Sequence, residues 1–411
     1  MRLLAVSYML PPALYPQSIQ IGRLLAYLPG EIGAVCGRPD RAGGLDNDGG
    51  LAGHLAFRLE VPYRPALSGI ALNLARRFVP FYARVPDEFR HWVPVAERAV
   101  MEKLAASGFK PEALATFGDP MSDHLLGLRL KRRLGLPWLA HFSDPWVDDS
   151  FRRGQPLANL VNRRLEAQVV AVADRVVFTS AETLDLVMAK YPKAWRAKAT
   201  VLPHSFDPGL YPPPAPRNGE LMVRHLGNLY GHRTPVPLLV ALRHLLDRAP
   251  ATLDGTRFEF IGGLSFRSAH HPAWRKLPPG LVRYLPRVAH SRALALMAES
   301  DLLLVIDGPD DLSVFLLSKL IEYIGAGIPI FGILPPGASA NLVERLGGIV
   351  ADPRDIEAVA VALLRALELA RRERKSTEPW GNADVRKELH AKRVAADFGR
   401  MLDEMVRSAQ R

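Results

Sequence analysis

Apolar residues in this chain fall into short unbroken runs, separated by longer stretches in which they recur at helical spacing. Residues 3–7, 34–37, 114–117, 136–142, 175–178 and 199–203 form such runs in the first half, and 221–226, 257–261, 281–285, 302–306 and 328–334 in the second. Short apolar runs bounded by turn residues read as strands buried on both faces, the habit of parallel sheets covered by helices. The intervening helical patterns include 18–28, with Ser18 as its cap, 95–107, 121–134, 181–190, 236–246, 291–297, 315–325 and 355–371. Strands alternating with helices predict an α/β protein built from doubly wound, Rossmann-like sheets. Between 206 and 219 the composition shifts to proline, including Pro212-Pro213-Pro214, and reads as a stiff linker. The expected organisation is therefore domain 1–205, linker 206–219, domain 220–375 and a closing amphipathic helix within 376–411.

Candidate chemistry concentrates in the second half. An apolar strand, 302–306, leads through an acidic loop, 307–313, into the helix that carries Ser318, Lys319 and Glu322, and Gly325-Ala326-Gly327 ends that helix. In a doubly wound sheet ligands sit at the carboxyl ends of the strands, and a helix N-terminus there favours phosphate. Lys319 and Glu322 share a helix face, so one can meet a phosphate and the other a sugar hydroxyl; an i, i+3 ion pair explains the same spacing. Upstream, Gly227-Asn228-Leu229-Tyr230-Gly231-His232-Arg233-Thr234-Pro235 is a glycine-containing turn that opens onto a helix. Such a turn lets backbone N–H groups and Arg233 approach a pyrophosphate.

In the first half, the run ending at Phe142 delivers Ser143, Asp144 and Trp146 to a sheet rim, with a substrate contact or a loop cap as the two roles open to Asp144. His124 begins a helix and is a ligand or a structural histidine. Residues 62–92 interleave Ile70, Leu72, Leu74, Phe78, Phe81, Tyr82 and Trp92 with Arg64, Arg76, Arg77, Arg84 and Arg90. That pattern suits a peripheral contact with anionic membrane, or a pair of ordinary amphipathic helices.

Composition narrows the classes. The 411 residues carry a formal net charge of +11, which attracts anionic lipid or phosphorylated molecules without choosing between them. Zinc, RNA-binding and helix-turn-helix signatures are missing, so nucleic acid is not an expected partner. One cysteine, Cys36, rules out a disulfide framework within the chain and fits a reducing compartment. No stretch approaches the roughly 20 apolar residues of a spanning helix, and 3–6 reads as a strand, so the expected location is cytoplasmic, or peripheral on the inner face of the plasma membrane.

The pattern Ser318-Lys319-Leu320-x-Glu322-Tyr323-x-x-x-Gly327-x-Pro329-Ile330 resembles the donor-binding helix of retaining glycosyltransferases of the GT-B fold, in the GT4-like family. Pro86-Asp87 with Trp92, the block 137–146 and the block 225–235 match the same family in order. The resemblance implies two Rossmann-like domains facing across a cleft, the final helix crossing back onto the first. It implies transfer of a hexosyl unit from a nucleoside diphosphate sugar to a hydroxyl with retention, on a lipid-linked or small glycan acceptor in cell-surface or exopolysaccharide synthesis. No metal and no cofactor beyond the co-substrate are expected.

By resemblance Gly227, Asn228, Tyr230, Arg233, Ser318, Lys319 and Glu322 bind the donor, Arg233, Lys319 and Asp144 serve catalysis, and Tyr15, Ser18, His124 and Asp144 bind the acceptor. The chain departs from the family at several points. Tyr15-Pro16-Gln17-Ser18 stands where the first loop is usually glycine-rich, and Thr234-Pro235 where a lysine often follows the arginine. His141 and Ser143 replace an acidic residue and an arginine, and Val314 stands where relatives carry a first glutamate, leaving Asp310 or Asp311 to contact the hexose. The alternatives are a nucleotide-sugar 2-epimerase of the same fold and a non-catalytic sugar-nucleotide-binding homologue.

Overall fold

A computed structural model describes all residues except 14, 39–49, 64–69, 72–73, 75–77, 79–83, 150–155, 213–216, 218 and 411. The chain forms two compact units, Met1–Ser205 with Ala391–Arg411, and Phe206–His390. The proline-rich segment and residues 376–390 thus belong to the second unit, and the returning segment begins at Ala391.

The first unit is built on seven parallel strands, β1 (Arg2–Val6), β2 (Glu31–Gly37), β3 (Leu55–Val61), β4 (Ala113–Gly118), β5 (Trp138–Phe142), β6 (Arg175–Phe178) and β7 (Ala199–Val201), in the order β3-β2-β1-β4-β5-β6-β7. The central strands are apolar and buried throughout, as expected where helices cover both faces. β3 was not foreseen from the sequence. It is a half-exposed edge strand, and its charged residues Arg58 and Glu60 pair with each other at 3.0 Å, which breaks up the apolar run that marks the others. The closing helix, Ala391–Ala409, buries Val394, Phe398, Leu402 and Met405 in the same core as Leu3, Leu24, Leu25 and Phe117. Each such side chain contributes about 1.5–3 kcal/mol of burial, which explains why this segment stays with the first unit.

The helix expected from Ser18 begins earlier, at Pro16, with Tyr15 in the cap position. Proline at the first helical position has the required φ and no N–H to satisfy, so no hydroxyl cap is needed. Ser18 lies instead inside the first turn, fully buried.

The second unit has six parallel strands, β8 (Leu221–Leu226), β9 (Thr256–Ile261), β10 (Val282–Leu285), β11 (Leu302–Ile306), β12 (Ile330–Ile333) and β13 (Ile349–Ala351), ordered β10-β9-β8-β11-β12-β13. In both sheets the strand order reverses beside the first strand of the unit, between β1 and β4 and between β8 and β11. At such a switch point neighbouring connections leave toward opposite faces and open a crevice at the carboxyl ends.

Of the 62–92 segment, Ile70, Leu74 and Phe78 are helical and exposed, while Leu72, Phe81, Tyr82, Arg64, Arg76 and Arg77 lie outside the described residues. Trp92 departs from an interfacial role. It is fully buried, with Nε1 donating to the Val61 carbonyl at 3.2 Å, because it starts the helix Trp92–Ser107 that packs on the sheet. Asp87 of the neighbouring motif accepts from the Ser122 backbone N–H at 3.0 Å and from the Ser122 hydroxyl at 2.5 Å, so it caps the helix Ser122–Leu134. Among the described residues no helix is long and apolar enough to cross a membrane.

Candidate functional site

The crevice of the second unit is framed by the loop after β8, the loop after β11 and the start of the helix Ser318–Ala326. The loop after β9 needs glycine for a specific reason. A Cβ at Gly262, where φ is 140°, would collide with the Gly227 carbonyl, so the strand ends of β8 and β9 approach more closely than any side chain permits. Asn228 completes this clasp by accepting the Gly263 N–H at 2.8 Å.

Arg233 is buried and its Nε donates to Asp307 Oδ1 at 2.7 Å, while Nη1 donates to the Tyr230 hydroxyl at 2.9 Å. Asp307 is itself held, accepting from the Ser313 hydroxyl at 2.7 Å and from the Gly308 N–H at 2.9 Å. The guanidinium is thereby fixed edge-on at the end of β11 before any ligand arrives, the kind of preorganisation that anion binding requires. Ser313 is anchored from behind, its backbone bonded to Pro336 and Ala338 at 2.8 and 3.0 Å. Gly337, with φ 135°, makes that possible, since a Cβ there would overlap the Ser313 carbonyl.

Lys319 comes from the opposite side. Its Nζ lies 3.4 Å from His225 Nε2 and 3.3 Å from the Asn228 carbonyl. The other ring nitrogen of His225, Nδ1, is 2.8 Å from the Leu304 carbonyl, which can only accept, so Nδ1 carries the proton and Nε2 accepts from Lys319. Burial, then the charge of Lys319, pushes the His225 pKa well below its ordinary value and keeps the ring neutral. Burial of the Lys319 ammonium, with repulsion from Arg233 outweighing attraction to Asp307, lowers its pKa to about 7. Arg233 and Lys319 therefore form a cationic pair that an incoming anion would relieve. Ser318 is the first residue of the helix, so the positive end of the helix dipole lies beside Lys319.

One turn along, Glu322 is buried beside the Tyr211 hydroxyl, which lies 2.8 Å from the Glu322 backbone carbonyl and 3.1 Å from its Oε2, and His290 Nε2 lies 4.0 Å away. Tyr323 points back into the core, where its hydroxyl accepts from the Leu226 N–H at 2.7 Å and donates to the Leu226 carbonyl at 3.1 Å. These bonds tie the helix Ser318–Ala326 to the residue before Gly227. Replacing Tyr323 by Phe leaves two buried backbone groups short of a partner, and we expect about 1–3 kcal/mol of destabilisation, read as a lower urea midpoint with unchanged slope.

The structure brings Gly227, Asn228, Tyr230, Arg233, Ser318, Lys319 and Glu322 to one crevice. It does not bring Asp311 there: that side chain is fully exposed and pairs with Arg354 at 2.6 Å, outside the arginine-lysine frame. Val314 is buried, and Asp310 half-buried on the same loop. Asp307 and His225 were not singled out from sequence, although Asp307 holds Arg233 and His225 lies beside Lys319.

In the first unit, Tyr15 is exposed at its rim and donates to Asp119 Oδ2 at 3.0 Å. Asp144 follows β5 directly and is half-buried. His124 is fully buried beneath the rim, 4.4 Å from the Phe142 ring, and burial lowers its pKa to about 3. His124 is thus a neutral core histidine on the strand-facing side of its helix.

Two parallel α/β units, each with its crevice at a switch point, define the fold of GT-B glycosyltransferases. Residues 31–204 match the family model described as the glycosyl transferase 4-like domain. No curated protein matches the chain by sequence. Among solved structures, sucrose-phosphate synthase from Thermosynechococcus elongatus aligns over 99% of this chain and 100% of its own, with a TM-score of 0.71 at 14% identity. Anabaena HepE, solved with UDP and glucose, aligns over 98% and 100%, with a TM-score of 0.67 at 15% identity. The lipopolysaccharide outer core galactosyltransferase WaaB aligns over 98% and 99%, with a TM-score of 0.62 at 13% identity.

Proposed function

We propose that this protein is a glycosyltransferase that moves a hexosyl unit from a nucleoside diphosphate sugar to a hydroxyl acceptor with retention of configuration. The observation that carries the reading is the pair Arg233 and Lys319, fixed on opposite sides of one crevice by Asp307 and His225, at the start of a helix. That arrangement matches a diphosphate, whose charge grows as the bond to the sugar breaks, and stabilising this charge is the main electrostatic task of the reaction. Glu322, an acceptor of hydrogen bonds one helical turn away, suits the ribose hydroxyls. HepE, similar in fold, was solved with UDP and with UDP-glucose, which supports a nucleotide-sugar donor here. In the reading, the sugar C1–O bond to phosphate breaks, the acceptor oxygen bonds to C1 from the same face, and its proton passes to the leaving phosphate. Neither a metal nor a cofactor enters the scheme.

The acceptor we infer is a lipid-linked or small glycan of cell-surface or exopolysaccharide synthesis, reached at the inner face of the plasma membrane. Supporting it are the exposed apolar side chains of Ile70, Leu74 and Phe78, each in helical conformation.

The test is release of nucleoside diphosphate from a panel of nucleotide sugars, with and without glycan acceptors, by wild type and Glu322→Ala. We expect release with one donor class, and a rise in donor KM of at least tenfold in the variant. Full activity of Glu322→Ala would refute the assignment. Interconversion of donors with no acceptor would establish the 2-epimerase instead, and binding without turnover the non-catalytic homologue.

A further inference from the structure

The loop leaving β4 contains the one non-glycine residue with positive φ among the described residues, Asp119 at 117°. L side chains seldom adopt that backbone, and where they are held in it the position tends to serve a ligand. Asp119 sits at the switch point of the first unit, between β1 and β4, where a doubly wound sheet opens its crevice.

Two bonds across this point hold the loop in place. The Tyr15 hydroxyl donates to Asp119 Oδ2 at 3.0 Å, and Gln17 Nε2 donates to the Gly118 carbonyl at 2.6 Å. Around them lie polar groups with work left to do. Gln17 Oε1, Ser18 Oγ and His124 Nε2 are buried and have no hydrogen-bond partner among the described residues.

His124 is anchored on one side of its ring. Thr116 Oγ1 accepts from Trp138 Nε1 at 2.9 Å and lies 2.8 Å from His124 Nδ1, which ties that ring nitrogen to the core. The other ring nitrogen, Nε2, is the atom that a Cβ at Gly118 would strike. A carboxylate held by a tyrosine thus shares one strand end with a buried imidazole nitrogen, a buried hydroxyl and a buried amide oxygen.

We propose that Asp119 is an acceptor-binding residue, its carboxylate accepting a hydrogen bond from a hydroxyl of the sugar that receives the transferred hexose. This rests on the glycosyltransferase reading and deepens it, since sequence reasoning placed Tyr15, Ser18 and His124 here and passed over the residue they surround. An ionised carboxylate only accepts, so it selects a hydroxyl donor at that position. The strained backbone is the cost of aiming it.

The experiment uses the full-length protein, with p-nitrophenyl glycosides of glucose, galactose, mannose and N-acetylglucosamine as probes. Saturation-transfer NMR reads glycoside binding directly, and a thermal shift with UDP, GDP, ADP and dTDP reads the donor site. Asp119→Gly suits the observed φ, so its melting midpoint should equal or exceed that of wild type, while glycoside affinity falls at least tenfold and the nucleotide shift is unchanged. Asp119→Asn keeps an accepting oxygen and should lose less. Wild-type glycoside binding in Asp119→Gly, or no glycoside bound by wild type, would overturn the proposal. Loss of the nucleotide shift in wild type would strike the glycosyltransferase reading instead.

Discussion

Replacing Arg233 with alanine should lower kcat/KM for the donor about 10²- to 10³-fold, the usual effect of removing one preorganised donor to a developing oxyanion. The effect should appear in kcat as well as KM, because the diphosphate is more strongly charged as it leaves than while the sugar is attached. Arg233→Lys should not restore it. A single ammonium cannot at once satisfy Asp307, meet the Tyr230 hydroxyl and present a planar fork to phosphate. Stability is affected through a separate route. Without Arg233 the buried Asp307 keeps its bonds from Ser313 and Gly308 but loses its counter-charge, and about 1–3 kcal/mol of destabilisation should follow. Steady-state kinetics with urea melts of the same variant separate the two effects. A variant that folds less stably yet turns over at the wild-type rate would remove Arg233 from the site.

The second large effect is one of pH. In the free protein Lys319 loses its proton as pH rises through about 7, and under the proposed function it would serve a diphosphate only as the ammonium. A bound anion favours the charged form and raises the pKa, so at pH 8 binding must be accompanied by uptake of up to one proton. Apparent affinity for a nucleoside diphosphate should then fall with rising pH, with a limiting slope of about tenfold per pH unit. At pH 8 the ligand's own terminal phosphate, with a pKa of about 6, is already ionised and contributes little. Calorimetric titration in two buffers of different ionisation enthalpy measures the proton count directly. Lys319→Met should abolish the uptake and flatten the profile; equal uptake in the variant would assign the proton elsewhere.

Much of the second unit was legible in the sequence because its signals are local. Buried parallel strands read as apolar runs, and the turn 227–235 and the helix 318–326 each announce themselves by glycines, helical spacing and ionisable residues close together in the chain. Partners chosen across the fold were not legible. Asp307 reads as one carboxylate among three in an acidic loop, and only the packing of β8 beside β11 shows that it meets Arg233 while Asp311 turns outward to Arg354. His225 sits in an apolar strand pattern, and its use depends on a lysine from a distant helix. The same holds in the first unit, where serine at 18 suggested a cap that proline at 16 had already made unnecessary. Edge strand β3 escaped notice because half-exposed strands lose the apolar continuity that marks buried ones.

The most direct test of the account is a thermal-shift panel of UDP, GDP, ADP, dTDP and CMP with their common sugars, run on wild type and Arg233→Ala. A ligand that binds the folded state raises the midpoint in proportion to the logarithm of its concentration over its Kd. The account predicts a shift with one nucleoside diphosphate family in wild type and its loss in the variant. The same shift in both proteins, or none with any nucleotide, would contradict it.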